Sequence, residues 1–236
     1  MNTRFQAKGT TAEIWLYDQI GESFWGDGIS AKAFQKELTA LGKVNTINLR
    51  INSPGGDVFD GLAIYNLLTQ HPARVIVDVD GLAASIASVI AMAGDEVRMA
   101  SNALMMIHNP HGMAAGDDRE MERMAALLKQ VKASLVDTYA ASTSQQQAQI
   151  AAWMDDETWM SADTAVQNGF ADEISAAQQV AASFRLLKDF KHTPAALLAQ
   201  SAPDDARPAR DMLAVRNAQL AQRLSALGVP QIGIRR

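Results

Sequence analysis

The sequence contains no cysteine among its 236 residues, which excludes disulfides, cysteine nucleophiles and thiolate metal sites. Histidine is scarce as well, with four residues: His71, His108, His111 and His192. Imidazole chemistry therefore has few positions available. Because no set of His, Asp and Glu residues has the spacing of metal ligands, we expect neither a metal ion nor a cofactor.

Long hydrophobic runs are also missing. The longest uncharged apolar run covers residues 82–93 and includes two serines, so it is too short to span a bilayer and is more typical of a buried helix. Residues 1–17 lack the continuous apolar stretch of a signal peptide. We expect a cytoplasmic protein that does not enter a membrane.

Lys and Arg are fewer than Asp and Glu, 21 against 26. The formal net charge is -5 and the sequence pI is about 5.3, so no global basic field exists to bind nucleic acid. Residues 1–183 carry 12 Lys and Arg against 22 Asp and Glu, whereas residues 184–236 carry 9 against 4. This asymmetry predicts an acidic domain over 1–183 and a basic tail over 184–236. We expect the tail, with a linker at 201–211 and a candidate helix at 212–227, to dock on acidic partners or to be trimmed.

Apolar residues make up 48% of the chain, enough for a substantial core, and their spacing alternates between two periods. Segments with a period of two predict strands at 12–17, 46–51, 74–80, 96–99 and 103–107. Segments with helical spacing predict helices at 31–41, 58–68, 83–93 and about 144–153, and a long amphipathic helix over 117–141. Strands separated by helices of this length require crossover connections, which predicts an α/β fold with a largely parallel sheet.

Two residues are candidates for serine chemistry. Ser85 follows a strand and a glycine at the start of a predicted helix, where unpaired backbone N–H groups can stabilise an oxyanion. His108 ends an apolar strand, where a side chain can emerge at the rim of a parallel sheet and accept a proton. Each residue has a simpler interpretation, as a small packing residue and as a hydrogen-bonded structural histidine. His111 could compete with His108.

Two further features accompany this pair. The turn at 53–57, SPGGD, has two glycines directly after a strand, which allow close backbone approach. Asp155, Asp156 and Glu157 provide carboxylates that could orient a histidine, although such a cluster is often only a solvated turn. A Gly-Gly turn, a serine, a histidine and an acid, in this order, favour acyl transfer by an activated serine.

Three segments resemble the ClpP-like serine peptidases of the Clp peptidase family, and most closely its phage and prophage head-maturation branch. They are INSPGGDVFDGLAIYNLL, GLAASIASVIAMAGDEVRMASNALMMIHNPHG and ETWMSADTAVQNGFADEI, within a resemblance over roughly residues 12–176. The resemblance implies a ClpP/crotonase-like fold of stacked β-β-α units with a protruding helical handle. It also implies a serine endopeptidase that processes phage head or scaffold proteins, in the host cytoplasm if the chain is phage-encoded.

Carried over position by position, the resemblance implies Ser85 as the nucleophile and His108 as the general base of a Ser-His-acid triad. The backbone N–H groups of Gly56 and Ile86 would form the oxyanion hole. The acid position falls on Glu157, where the family usually has Asp, and Asp156 is its rival.

The resemblance also implies partners. The helix at 117–141 matches the family's handle, which interlocks so that rings stack, and this predicts a homo-oligomeric ring or stacked rings. The short segment before the first strand departs from the one by which housekeeping members engage an unfoldase ring, which makes an ATPase partner doubtful.

Three alternatives stay open. The chain could be a catalytically silent ClpP-like assembly module. It could be an enoyl-CoA hydratase or isomerase, which shares this superfold but uses carboxylates and binds coenzyme A. It could use a Ser-Lys dyad, as signal-peptide peptidases do, although the lysines between Ser85 and residue 183 are Lys129 and Lys132, both on the predicted polar helix.

Overall fold

Eight β-strands form one sheet in the part of the chain that the computed structural model describes, residues 3–22, 28–179 and 185–200. The strands are β1 (Arg4–Lys8), β2 (Thr11–Leu16), β3 (Thr46–Ser53), β4 (Arg74–Ala84), β5 (Glu96–Ala100), β6 (Leu104–Ile107), β7 (Thr158–Ser161) and β8 (Glu173–Ser175). The order is β1-β2-β3-β4-β5-β8, with β6 paired to the end of β4 and to β7. All pairs are parallel except β1–β2 and β6–β7. The predicted α/β class with a largely parallel sheet is confirmed.

Seven helices are described, and the first three form crossover connections between the parallel strand pairs β2–β3, β3–β4 and β4–β5. They are α1 (Ala31–Ala40), α2 (Val58–Thr69), α3 (Ile86–Ala91), α4 (Asp118–Thr143), α5 (Gln147–Asp155), α6 (Ala162–Gln167) and α7 (Ala195–Gln200), with a 3-10 turn at Arg185–Asp189. None of them is long and apolar enough to cross a membrane.

The long helix α4 forms where the amphipathic pattern predicted it. Asp117 caps it in a capping box, in which its side chain accepts from the Glu120 N–H while the Glu120 carboxylate accepts from the Asp117 N–H. Only the C-terminal half of α4 contributes buried residues, among them Leu135 and Tyr139. Met121 and Leu127, in the N-terminal half, are 41% and 42% exposed. The N-terminal half therefore stands away from the core, as expected of a handle.

The core lies on one face of the sheet. Alternate residues of the central strands are fully buried, for example Ile14, Leu49 and Val77, and they pack in one cluster with Phe34 of α1 and Ile64 of α2. Most of the residues between them are half-buried, and several are polar, such as Glu13, Asn48 and Asp78. This alternation is the physical reason that the period-two pattern in the sequence predicts the strands.

Two boundaries differ from the sequence-based predictions. The predicted helix at 83–93 begins only at Ile86, because β4 continues past Gly81 and pairs with β6 up to Ala84. The compact unit ends at Gln200 rather than at the predicted domain boundary after residue 183, because residues 185–200 pack against the body. The predicted linker and the candidate helix at 212–227 lie outside the described residues.

Candidate active site

A cavity of about 250 Å³ lies between the turn after β3, the start of α3, the end of β6 and the helix α4. Its polar floor includes Gly56, Ser85 and His108, which the sequence singled out. Its apolar wall comes mainly from α4. Residues far apart in the sequence therefore meet at the C-terminal ends of parallel strands, where α/β sheets usually carry their sites.

Ser85 is held in a strained conformation between β4 and α3. Its φ of 54° and ψ of -129° are rare for a residue with a side chain, and such a conformation costs roughly 1–3 kcal/mol. Three hydrogen bonds of its main chain maintain it. The Ser85 N–H donates to the Met106 carbonyl at 2.9 Å, and the Ser85 carbonyl accepts from the Ser88 hydroxyl at 2.6 Å and from the Ser88 N–H at 3.0 Å. The result is a hydroxyl that points into the cavity rather than along the helix.

His108 meets this hydroxyl directly. The distance between His108 Nε2 and Ser85 Oγ is 2.8 Å, a normal hydrogen bond. The pairing of Ala84 with Met106 brings the ends of β4 and β6 together and so sets this distance. Burial and the positive charges of His111 and Lys191 lower the pKa of His108 to about 4, against the opposing effect of Glu157. The imidazole is therefore neutral at pH 7, the form that can accept a proton.

Glu157 is the carboxylate whose charge acts on His108, and it too has a left-handed backbone, with φ 50°. Its side chain is buried. Oε1 accepts from Trp159 Nε1 at 3.2 Å and from the His192 N–H at 2.6 Å, and Oε2 accepts from the Lys191 N–H at 2.8 Å. Burial raises the pKa of this carboxyl, but these donors and the charge of His108 lower it overall. Glu157 thus stays ionised.

The contact between Glu157 and His108 is electrostatic. Among the described residues, no hydrogen bond joins the Glu157 carboxylate to the imidazole, since three other donors occupy its oxygens. The rival Asp156 is exposed, and its main-chain carbonyl accepts from His192 Nδ1 at 3.0 Å. Of the two neighbouring carboxylates, Glu157 is the buried one, and its charge acts on the pKa of His108.

The Gly-Gly turn is a steric requirement of the site. A Cβ on Gly55, whose φ is 90°, would lie 2.7 Å from both the Ala84 carbonyl oxygen and the Ser85 Cβ. A Cβ on Gly56 would lie 2.0 Å from the Ile20 carbonyl oxygen. Only glycine lets the turn approach Ser85 this closely. Within the described residues, neither the Gly56 N–H nor the Ile86 N–H donates a hydrogen bond, so both are available to an oxyanion.

Neither Lys129 nor Lys132, the lysines considered as alternative bases, lines the cavity that contains Ser85. Lys132 Nζ lies 2.6 Å from Asp155 Oδ1 in an ion pair, and Asp155 also accepts from Asn109. The described residues contain no group of three or more His, Cys, Asp or Glu side chains that could hold a metal ion.

Sequence reasoning missed two groups of contacts. Ser88 forms a buried hydrogen bond with Tyr139 at 2.7 Å, which ties α3 to α4. Phe190, Lys191 and His192 contact the site from a segment assigned to the tail. The first group could have been suspected from two polar residues on facing helices, whereas main-chain donors leave no signal in a sequence.

An α/β sheet whose strand ends bring a serine hydroxyl to a histidine nitrogen has the arrangement of a serine hydrolase. The family model described as Clp protease matches residues 11–178. The chain belongs to the Clp protease family and is a serine peptidase of that family.

Individual relatives agree with this assignment. ATP-dependent Clp protease proteolytic subunit 1 from Leifsonia xyli is 30% identical over 68% of this chain and 81% of its own length. The subunit of the same name from Chlamydia muridarum is 35% identical over 68% of this chain and 84% of its own. The structure of a ClpP1 mutant from Listeria monocytogenes superimposes with a TM-score of 0.61 at 26% identity, covering 70% of this chain and 91% of that one.

Proposed function

We propose that this chain hydrolyses peptide bonds with Ser85 as nucleophile and His108 as general base. The observation that carries the proposal is the 2.8 Å contact between Ser85 Oγ and His108 Nε2 on the floor of the cavity. Oγ attacks the scissile carbonyl carbon, and its proton passes to Nε2 as the new C–O bond forms. The oxyanion accepts from the N–H groups of Gly56 and Ile86.

The remaining steps use His108 first as an acid and then again as a base. The imidazolium returns its proton to the leaving amine as the C–N bond breaks, which leaves an acyl ester on Ser85. Water, deprotonated by the neutral His108, then attacks the ester carbon, and the imidazolium gives its proton to Ser85 Oγ as the ester C–O bond breaks, which releases the acid and the free serine. Because imidazolium is disfavoured by burial, the negative charge of Glu157 stabilises it during both steps.

The substrate is a polypeptide with an apolar side chain next to the scissile bond. The wall opposite Ser85 consists of Met124, Leu127, Leu128 and Val131 of α4, with Phe59 at the edge. Such a lining favours Leu or Met over a charged side chain, because an unpaired charge would lose its hydration there. A set of peptides that differ only at this position tests the preference, and faster cleavage after Lys or Asp would contradict it.

A fluorophosphonate probe tests the nucleophile. We expect the wild-type protein to gain the mass of one probe on Ser85 and the Ser85→Ala variant to gain none. The variant should also lose nearly all hydrolysis, keeping at most ~10³–10⁴-fold acceleration over water. An assembled, folded protein that stays unlabelled would instead support the catalytically silent module.

The hydratase alternative has less support. It needs free carboxylates beside the oxyanion hole, but Asp57, which lines the cavity, accepts from the N–H groups of Phe59 and Asp60 as the cap of α2. Equilibrium dialysis against an acyl-CoA distinguishes the two enzymes, and we expect no retention.

We further propose a ring-shaped homo-oligomer and phage head or scaffold proteins as substrates. The exposed Met121 of α4 supports self-association, and the phage substrates rest on the sequence resemblance alone. The doubt about an ATPase partner, the role of the tail and the cytoplasmic location, in the host if the chain is phage-encoded, stay predictions. Native mass spectrometry reports the ring, and a monomer at working concentration would contradict it. Intact masses of wild type and Ser85→Ala report self-processing.

A further inference from the structure

Residues 185–200 form a segment, here named the C-terminal strap, that packs beside the candidate active site. The strap lies beyond the part of the chain that the Clp protease model matches, residues 11–178. Leu187 is fully buried and Leu197 is 7% exposed, and both join a small core cluster. The other members of that cluster are Leu82, Ala84 and Met106. Ala84 directly precedes Ser85, so the strap packs beneath the strands that carry the nucleophile and the base.

The strap binds the acidic side chain of the site through its main chain. The consecutive N–H groups of Lys191 and His192 donate to the two oxygens of Glu157, at 2.8 Å and 2.6 Å. The Thr193 hydroxyl donates to the Leu187 carbonyl at 2.6 Å and so closes the turn that presents these N–H groups. Hydrogen bonds from two donors to one carboxylate define both its position and its orientation.

The strap also contacts the base. The ring of Phe190 meets the imidazole of His108 edge-on, with centroids 5.1 Å apart and an angle of 81° between the planes, and it packs against Trp159. Among the described residues, the His108 side chain forms one hydrogen bond, the one to Ser85. The orientation of the imidazole therefore depends on packing as well as on that bond.

We propose that the C-terminal strap is an integral part of the peptidase site, in which Lys191 and His192 hold Glu157 and Phe190 positions the His108 ring. The inference rests on the proposed function. It makes Phe190 a positioning residue, since the ring contacts the base and not the substrate. It also assigns residues 185–200 a role in the peptidase itself, separate from any role of residues 201–236.

Three full-length variants test the proposal. Phe190→Ala removes the ring, Phe190→Leu restores part of its volume, and Leu198→Ala removes a side chain of the same strap that is 41% exposed. We expect Phe190→Ala to lower kcat about 10- to 100-fold with a smaller change in KM, since a displaced catalytic group reduces the rate of the chemical step. Phe190→Leu should recover part of the loss, and Leu198→Ala should stay within about twofold of wild type.

The pH profile separates positioning from a merely structural role. The groups that act on the pKa of His108 are His111, Glu157 and Lys191, besides its burial. Loss of the Phe190 ring admits water to the imidazole, so the acid limb of kcat/KM should move to higher pH in Phe190→Ala. A variant that only loosens the fold would melt earlier while its acid limb stays in place.

Each outcome decides between the two proposals. If wild type fails to react with fluorophosphonate, the proposed function itself is overturned. If wild type reacts and Phe190→Ala reacts equally fast with an unchanged acid limb, the strap is only packing and this inference is overturned. Faster labelling of Phe190→Ala would also overturn it, because the strap would then obstruct the site. Should Phe190→Ala not fold, the same comparison is made with Phe190→Leu.

Discussion

The two sides of the active site hold their polar groups by different means. Ser85 and His108 stand at the ends of β4 and β6, and the pairing of these strands sets the distance between them. Glu157 stands in the turn between α5 and β7, and main-chain donors 34 and 35 residues further along hold its carboxylate. The serine side therefore depends on sheet register, whereas the acidic side depends on a segment that packs from outside the sheet.

Both sides share backbone strain. Ser85 and Glu157 have φ values of 54° and 50°, although neither is glycine. A strained residue persists only where its surroundings over-determine it. We therefore expect a change on the sheet side to act through the distance between Ser85 and His108. A change on the acidic side should act through the charge of Glu157.

Apart from the loss of Ser85 itself, Gly55→Ala should cause the largest loss of activity, because it acts on the serine side of the site. The new Cβ would lie 2.7 Å from the Ser85 Cβ and would displace either the turn or the nucleophile. A displacement of about 1 Å lowers the rate on the order of 100-fold, so we expect a loss of this size in kcat/KM for a peptide substrate.

Gly42→Ala is the matched control for this change. Gly42 also has a left-handed backbone, with φ 71°, but a Cβ there meets nothing within 4 Å. We expect it to lose about 1 kcal/mol of stability and to keep its activity. Equal activity loss in both variants would mean that strain, not contact with Ser85, is responsible.

Glu157→Gln should have the next largest effect. The amide keeps an oxygen for the main-chain donors but loses the charge that stabilises imidazolium. We expect kcat to fall about 10- to 100-fold, less than the ~10⁴-fold that follows when an acid hydrogen-bonded to the base is neutralised. Steady-state kinetics of this variant beside Asp156→Asn provide the measurement. Greater damage from Asp156→Asn would show that our choice of the acid is wrong.

His111→Gln should change the pH dependence rather than the maximal rate. The charge of His111 is one cause of the low pKa of His108, so its removal raises that pKa. Since the neutral imidazole is the active form, kcat/KM falls as the pH drops through this pKa. The acid limb of the variant should therefore lie at higher pH than that of wild type, which we expect near pH 4.

His71→Gln provides the control, because His71 Nδ1 accepts from the Ala73 N–H away from the active site. Its acid limb should match that of wild type. An unchanged limb in His111→Gln would exclude His111 as a contributor.

Lys132→Gln should have the smallest effect. The change breaks an ion pair with Asp155, whose side chain is 57% exposed, and such pairs contribute roughly 0–1 kcal/mol to stability. We expect activity within about twofold of wild type. A loss comparable to that of Ser85→Ala would instead support the Ser-Lys alternative.

Much of the sheet could be predicted, because a strand with one buried face has apolar residues at every second position of its own sequence. The alternation through Ile47, Leu49 and Ile51 marks a strand with one buried face, and the structure has a strand there. The edge strand Arg4–Lys8 was not predicted, since its mostly exposed residues carry no such pattern. The strand that ends at Ala84 was predicted too short, because pairing with β6 outweighs the helical preference of an Ala-rich run.

The candidate site divides in the same way. The sequence predicted that the residues at 55, 56, 85 and 108 belong to one site. Each lies just after a strand, and strand ends meet at one edge of a parallel sheet. Their catalytic roles stay predictions. The sequence could not distinguish Asp156 from Glu157 as the acid of the site, since the two are neighbours with the same chemistry and differ in their burial.

The α/β class, the long amphipathic helix and the order of a glycine pair, a serine, a histidine and an acid could all be predicted from the sequence. These are consequences of local periodicity and of residue chemistry. The burial of Glu157, its main-chain donors and the packing of residues 185–200 against the body follow from the tertiary structure. This side of the site is held by main-chain N–H groups and by ring packing. Every residue but proline has such an N–H, so the contact depends on where the chain passes and not on which residue passes there.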